Sequence, residues 1–149
     1  MGGRITFPFY GAYHSSKYAV EALSDALRME LAPFGIQVVL IEPGLIATEF
    51  ESNSVATLTR YRDGHSAYAT VLERTEAEQL RLRRFAAPVH RCTLAVEKAV
   101  SSPRPCARYV VTAHARFLLF LRRWMPTRIL DWIIRGAMGL TPRGLGRKG

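Results

Sequence analysis

Lysine is scarce in this chain: Lys17, Lys98 and Lys148 stand alone among 21 basic residues, and the rest are arginine. Cysteine is scarcer, with only Cys92 and Cys106, in neither C-x-x-C spacing nor a paired framework. That pattern excludes a disulfide scaffold and points to a reducing cytoplasm. The four histidines, His14, His65, His90 and His114, form no H-E-x-x-H and no cluster with cysteine, so no metal site is expected. Long apolar runs are missing too. The longest strongly apolar stretch, Phe117 to Leu121, ends at Arg122-Arg123, far short of the ~20 residues a membrane span needs. Met1-Gly-Gly-Arg has no apolar segment behind its charge, so no signal peptide is expected.

Acidic residues number 12 against those 21 basic ones, which leaves a net charge of +9. A basic balance attracts anionic partners, nucleic acid or membrane surface. Here the arginines are scattered in pairs such as Arg83-Arg84 and Arg122-Arg123, with no block and no aromatic RNA-binding motif around them. A solvated basic surface with no nucleic-acid partner is the expectation. Hydrophobic residues make up 48% of the 149, enough for one packed domain.

Along the chain, Ala19, Val20, Leu23, Ala26, Leu27 and Leu31 recur at threes and fours, which predicts a helix from about Ala12 to Leu31 with one buried face. Pro33 and Gly35 stop it. Ile36-Gln-Val-Val-Leu-Ile41 follows, β-branched and bounded by Pro43-Gly44, and predicts a buried parallel strand. Residues 48–68 are polar and loop-like. A charged helix is expected over 68–85, another from Pro88 through Val100, and a short strand over 108–112. Two helical segments divided by Pro126 close the chain. In the second, Ile129, Leu130, Ile133, Ile134 and Ala137 share a face, with Trp124 and Trp132 at its margins. Such a basic amphipathic surface can pack on a core, meet a subunit or lie on lipid. A disordered tail is expected from Thr141.

The chemistry is concentrated early. Tyr13-His14-Ser15-Ser16-Lys17 puts a phenol and an ammonium four apart, on one helical face. The ammonium favours phenolate and lowers a pKa that starts near ~10, so the phenol can exchange a proton with an alcohol or ketone. Tyr10 and Tyr18 have no lysine four residues on.

Taken together, Tyr10-Gly-Ala-Tyr-His-Ser-Ser-Lys-Tyr-Ala-Val-Glu-Ala-Leu, Leu31-Ala-Pro-Phe-Gly-Ile-Gln-Val and Glu42-Pro-Gly-Leu-Ile-Ala-Thr-Glu-Phe resemble the catalytic helix and following strand of a short-chain dehydrogenase/reductase. The specific motifs cover residues 1–50. The resemblance implies an α/β fold: the C-terminal half of a Rossmann-like, doubly wound parallel sheet over 1–113, and an amphipathic helical extension with a basic tail over 114–149. It implies an NAD- or NADP-dependent oxidoreductase interconverting an alcohol and a carbonyl on a small lipophilic substrate. Tyr13 would be the general acid/base. Lys17 would tune it and hold the nicotinamide ribose. Pro43 and Gly44 would turn the chain at the strand's carboxyl end, and the Ile46 backbone and Thr48 hydroxyl would hold the nicotinamide carboxamide. A homo-oligomer through the Tyr13–Lys17 helix is implied as well. The cysteine usage adds the expectation of a cytoplasmic protein, and the amphipathic helices leave peripheral membrane contact open as an alternative to core packing or a subunit contact.

The family's glycine-rich pyrophosphate turn and its oxyanion-stabilising serine have no counterpart in these residues. The expectation is therefore a fragment that is inactive alone. The competing expectation, from another class, is a non-catalytic piece that binds a membrane surface or partner through its basic helices.

Overall fold

The computed structural model describes residues 2–48, 66–142 and 145. Two compact units are resolved within the chain: Met1–Ile46 with Ala87–Trp124, and Ala47–Ala86 with Met125–Gly149.

The first unit opens with α1, Gly11–Leu31, which begins and ends close to its predicted limits. Pro33 and the glycine behind it close the helix as expected. Ala32–Phe34 tighten into a 3-10 turn, and Gly35 takes a left-handed φ of 72°, a conformation glycine adopts without strain. β1, Leu40–Glu42, then pairs in parallel with β2, Arg108–Val110, in the register Leu40–Arg108, Ile41–Tyr109, Glu42–Val110. α3, His90–Ser101, lies against β1, and α4, Ala113–Trp124, against β2. Helices around a parallel pair give the α/β class, with far more helix than strand.

The second unit carries α2, Ala69–Arg83, and α5, Thr127–Ala137. Val71, Leu72 and Thr75 are buried in it, and the Thr75 hydroxyl donates to the Val71 carbonyl at 2.8 Å. Pro126 caps α5 at its N-terminus, where a missing N–H costs nothing.

Two expectations need correction. The strand predicted over Ile36–Ile41 forms only over Leu40–Glu42, and the one predicted over 108–112 only over Arg108–Val110. A ladder needs a partner, and among the described residues each strand pairs with three residues of the other. The apolar stripe of α1 is not buried: Val20 and Leu23 are exposed, and His14 is the helix's one buried residue. The elements packed on α1 engage its polar edge instead, as described below. The small core of the first unit is Ile5, Ile46, Ala115 and Leu119. Burial of each large aliphatic side chain there contributes about 1.5–3 kcal/mol. The predicted loop over 49–65 and most of the tail lie outside the described residues. Among the described residues no helix is long and apolar enough to cross a membrane.

Candidate active site

Tyr13 and Lys17 sit one turn apart on α1, and the structure brings them together: Lys17 Nζ lies 5.4 Å from the centre of the Tyr13 ring, over its face. The chain enters this helix through Phe9, whose φ of 69° is left-handed, a strained conformation for an aromatic residue. Behind Tyr13 the His14 imidazole is buried, 5.4 Å ring to ring from Tyr13 and 5.9 Å from both Phe7 and Tyr10. Its Nδ1 accepts the Phe7 backbone N–H at 3.2 Å. Desolvation pushes the His14 pKa down, so this ring is a neutral support for Tyr13 rather than a charge beside it.

For Tyr13 itself the direction differs from the sequence expectation. Burial raises its pKa above the usual phenol value. The ammonium meets the ring face, a cation–π contact, and the residue keeps about a third of its surface exposed. A phenol in this state stays protonated at neutral pH.

Pro43, Gly44 and Ile46 follow the carboxyl end of β1, where open α/β sheets bind ligands. Gly44 is a close approach. A Cβ there would stand 1.9 Å from Thr112 Oγ1, 2.8 Å from His114 Nε2 and 3.0 Å from Ala115 Cβ, so only glycine fits. The next residue is pinned twice: the Leu45 N–H donates to His114 Nε2 at 3.0 Å, and its carbonyl accepts the Ala87 N–H at 2.9 Å. Ile46 forms a parallel bridge with Ala87 and is buried. The Ile46 N–H shares a peptide plane with the Leu45 carbonyl and points the opposite way, away from Ala87. Thr48 is exposed and belongs to the second unit.

A group of ions that the sequence did not announce links the helix to the strand end. Arg108, opening β2, donates through Nε to Glu21 Oε2 at 3.1 Å and through Nη2 to Asp25 Oδ1 at 2.7 Å, both on α1. The same Nε lies 3.4 Å from Glu42 Oε1, and Arg4 Nη1 reaches that oxygen at 3.4 Å. Arg28 also pairs with Asp25. Hydrogen bonds from Arg28 and Arg108 hold the Asp25 carboxyl below the usual range, and Asp25 raises Arg108 in return. Glu42 is 2% exposed and immediately precedes Pro43. The clue in the sequence was a carboxylate ending an otherwise apolar run, Ile36–Ile41.

Residues 1–59 match the short chain dehydrogenase family. The chain is 38% identical over 134 residues to the uncharacterized oxidoreductase YbbO of Escherichia coli, covering 90% of this chain and 45% of that protein. It is 35% identical over 131 residues to the NADPH-dependent 3-dehydrocapnine reductase of Ornithobacterium rhinotracheale, 88% of this chain and 46% of the reductase. This chain belongs to the short-chain dehydrogenase/reductase family. A further relative is 17-beta-hydroxysteroid dehydrogenase type 6 of Homo sapiens, 30% identical over 142 residues, 89% of this chain and 44% of the enzyme. The chain spans about half the length of the curated relatives it matches.

Within that family frame, the described residues fit one end of a nicotinamide dinucleotide better than the other. An exposed Lys17 and an Ile46 N–H directed away from Ala87 suit the nicotinamide end. A pyrophosphate cradle needs glycine backbone open to a ligand. A Cβ on Gly2 would meet His14 at 3.0 Å, and one on Gly3 the Lys17 carbonyl at 2.7 Å, so both glycines are packed on α1 instead.

Proposed function

We propose that these residues form the proton-transfer side of an NAD- or NADP-dependent oxidoreductase that interconverts a lipophilic alcohol and its ketone. The observation that carries this reading is the Tyr13–Lys17 pair on α1. A nicotinamide dinucleotide, when bound, would supply a hydride to the ketone's carbonyl carbon, or accept one from the alcohol's carbinol carbon. Tyr13 gives its phenolic proton to the oxygen as that carbon is reduced, and recovers it when the alcohol is oxidised. Lys17 stabilises the phenolate left behind and reaches toward the cofactor's ribose. Pro43 and Gly44 would set the turn, and the Ile46 N–H would receive the carboxamide.

A lipophilic substrate is supported by a relative whose name states a hydroxysteroid activity, and an NADP preference by one whose name states NADPH dependence. The 149 residues hold no phosphate cradle among those described, so alone they are expected to be inactive. The test is cofactor-linked reduction of a panel of lipophilic ketones, followed by loss of reduced-nicotinamide absorbance, with the polypeptide as its source cells make it. Turnover that Tyr13→Phe abolishes supports the reading; turnover indifferent to Tyr13 and Lys17 refutes it.

Surface contacts form a second part of the proposal. Phe117, Phe120 and Trp124 lie exposed along α4, the last two with rings 6.4 Å apart, and Arg123 is exposed beside them. Aromatic and cationic groups together favour peripheral contact with an anionic membrane. Sedimentation with anionic vesicles, lost at high salt, tests this. The uncovered Val20 and Leu23 on α1 support pairing with a second copy through that helix, which sedimentation equilibrium of Leu23→Glu tests.

A further inference from the structure

His114, in the first turn of α4, joins the strand-end turn through one nitrogen. Leu45 donates its backbone N–H to His114 Nε2 at 3.0 Å, and Thr112 Oγ1 lies 3.2 Å from that nitrogen. A ring nitrogen that accepts an N–H carries no proton of its own, which assigns the imidazole hydrogen to Nδ1 in this arrangement. Thr112 is buried and stands in the space a Cβ on Gly44 would need. Side chains at 112 and 114 therefore press on Gly44 and hold Leu45 from one side, while the Ala87 N–H holds the Leu45 carbonyl from the other. Two successive peptides, 44–45 and 45–46, are fixed in this way. The second of them carries the Ile46 N–H.

We propose that His114 is a positioning residue for the nicotinamide-binding turn, acting through Leu45 to aim the Ile46 N–H at the cofactor's carboxamide. This rests on the oxidoreductase reading above. Its chemistry is that of a fixed acceptor. Removing the imidazole leaves a partly buried Leu45 N–H unpaired, and the turn can then rotate to satisfy it elsewhere. A side chain with an acceptor at similar reach restores the hold, whereas an apolar one of similar size does not.

The experiment compares His114→Leu and His114→Gln with the wild type, using the polypeptide as its source cells make it. In His114→Leu the KM for NADPH or NADH is expected to rise about tenfold, the loss of one well-placed hydrogen bond, with the ketone KM unchanged. His114→Gln returns the cofactor KM to within about threefold of wild type. Amide exchange at Leu45 accelerates in the leucine variant and recovers in the glutamine variant. A wild type that turns over while His114→Leu keeps its cofactor KM overturns the positioning role and leaves the oxidoreductase reading intact. No turnover by the wild type sinks both. If His114→Leu does not fold, nitrogen chemical shifts of the wild-type imidazole decide: a proton on Nε2 refutes the proposal, and one on Nδ1 with a slowly exchanging Leu45 amide supports it.

Discussion

Lys17 Nζ stands over the face of the Tyr13 ring, 5.4 Å from its centre, while burial holds the phenol above its ordinary pKa. Ketone reduction needs Tyr13 protonated, so its rate should stay level through neutral pH and decline only in alkali. Alcohol oxidation needs the phenolate and should rise with pH across the same range. Paired pH–rate profiles in the two directions check this, and parallel profiles contradict it.

The charge on Lys17 stabilises the ionised phenol more than the neutral one. Lys17→Met should lower kcat for oxidation by about 10²-fold or more, in the range of a lost acid–base contribution, and shift the alkaline limb of the oxidation profile upward. Lys17→Arg keeps the charge and should retain more of the rate. Steady-state kinetics of the two variants make the comparison.

Gly44→Ala places a methyl where Thr112 Oγ1 already sits. Overpacking of this kind costs about 1–3 kcal/mol. Urea denaturation should show that loss, and Thr112→Gly in the same chain should recover part of it, because the clash is with that side chain.

Arg108 ties α1 to the sheet through Glu21 and Asp25 and neutralises the buried Glu42. Arg108→Met should destabilise the protein by about 1–3 kcal/mol, a figure kept modest because Asp25 is well exposed and screened. Adding Glu42→Gln should recover some of the loss, since the buried charge disappears with it. Denaturation of the single and double variants measures the coupling.

Asp25 gives this network a pH signature. Its folded pKa lies below the unfolded one, so its stabilisation is present above about pH 4 and is lost as pH falls through the lower, folded value. Asp25→Asn should flatten the acid limb of the stability curve. An unchanged limb would mean that other carboxylates dominate it.

Local structure was largely legible in the sequence. Pro33 and Gly35 marked the end of α1, Pro126 divided the last helices, and the three helices given bounds, over 12–31, 68–85 and 88–100, form within about two residues of them, as boundaries usually fray. Strand length was not legible, because it depends on a partner. Nor was the burial of α1, since periodicity shows which face is apolar and not what covers it. Arg108 meets Glu21 and Asp25 across 87 and 83 residues of chain, and His114 meets Leu45 across 69. Pairings that distant leave no local trace. The Tyr13 shift went the other way for a related reason: the sequence shows the neighbouring charge, and only the fold shows the partial desolvation of the phenol.

The central claim is that Tyr13 and Lys17 serve a hydride transfer. Its most direct test uses reduced nicotinamide cofactor deuterated at C4, a lipophilic ketone, and the polypeptide as its source cells make it, with mass spectrometry of the alcohol formed. Deuterium on the carbinol carbon, lost along with product in Tyr13→Phe, is the result expected. Alcohol formed without deuterium, or formed equally by Tyr13→Phe, would contradict the account.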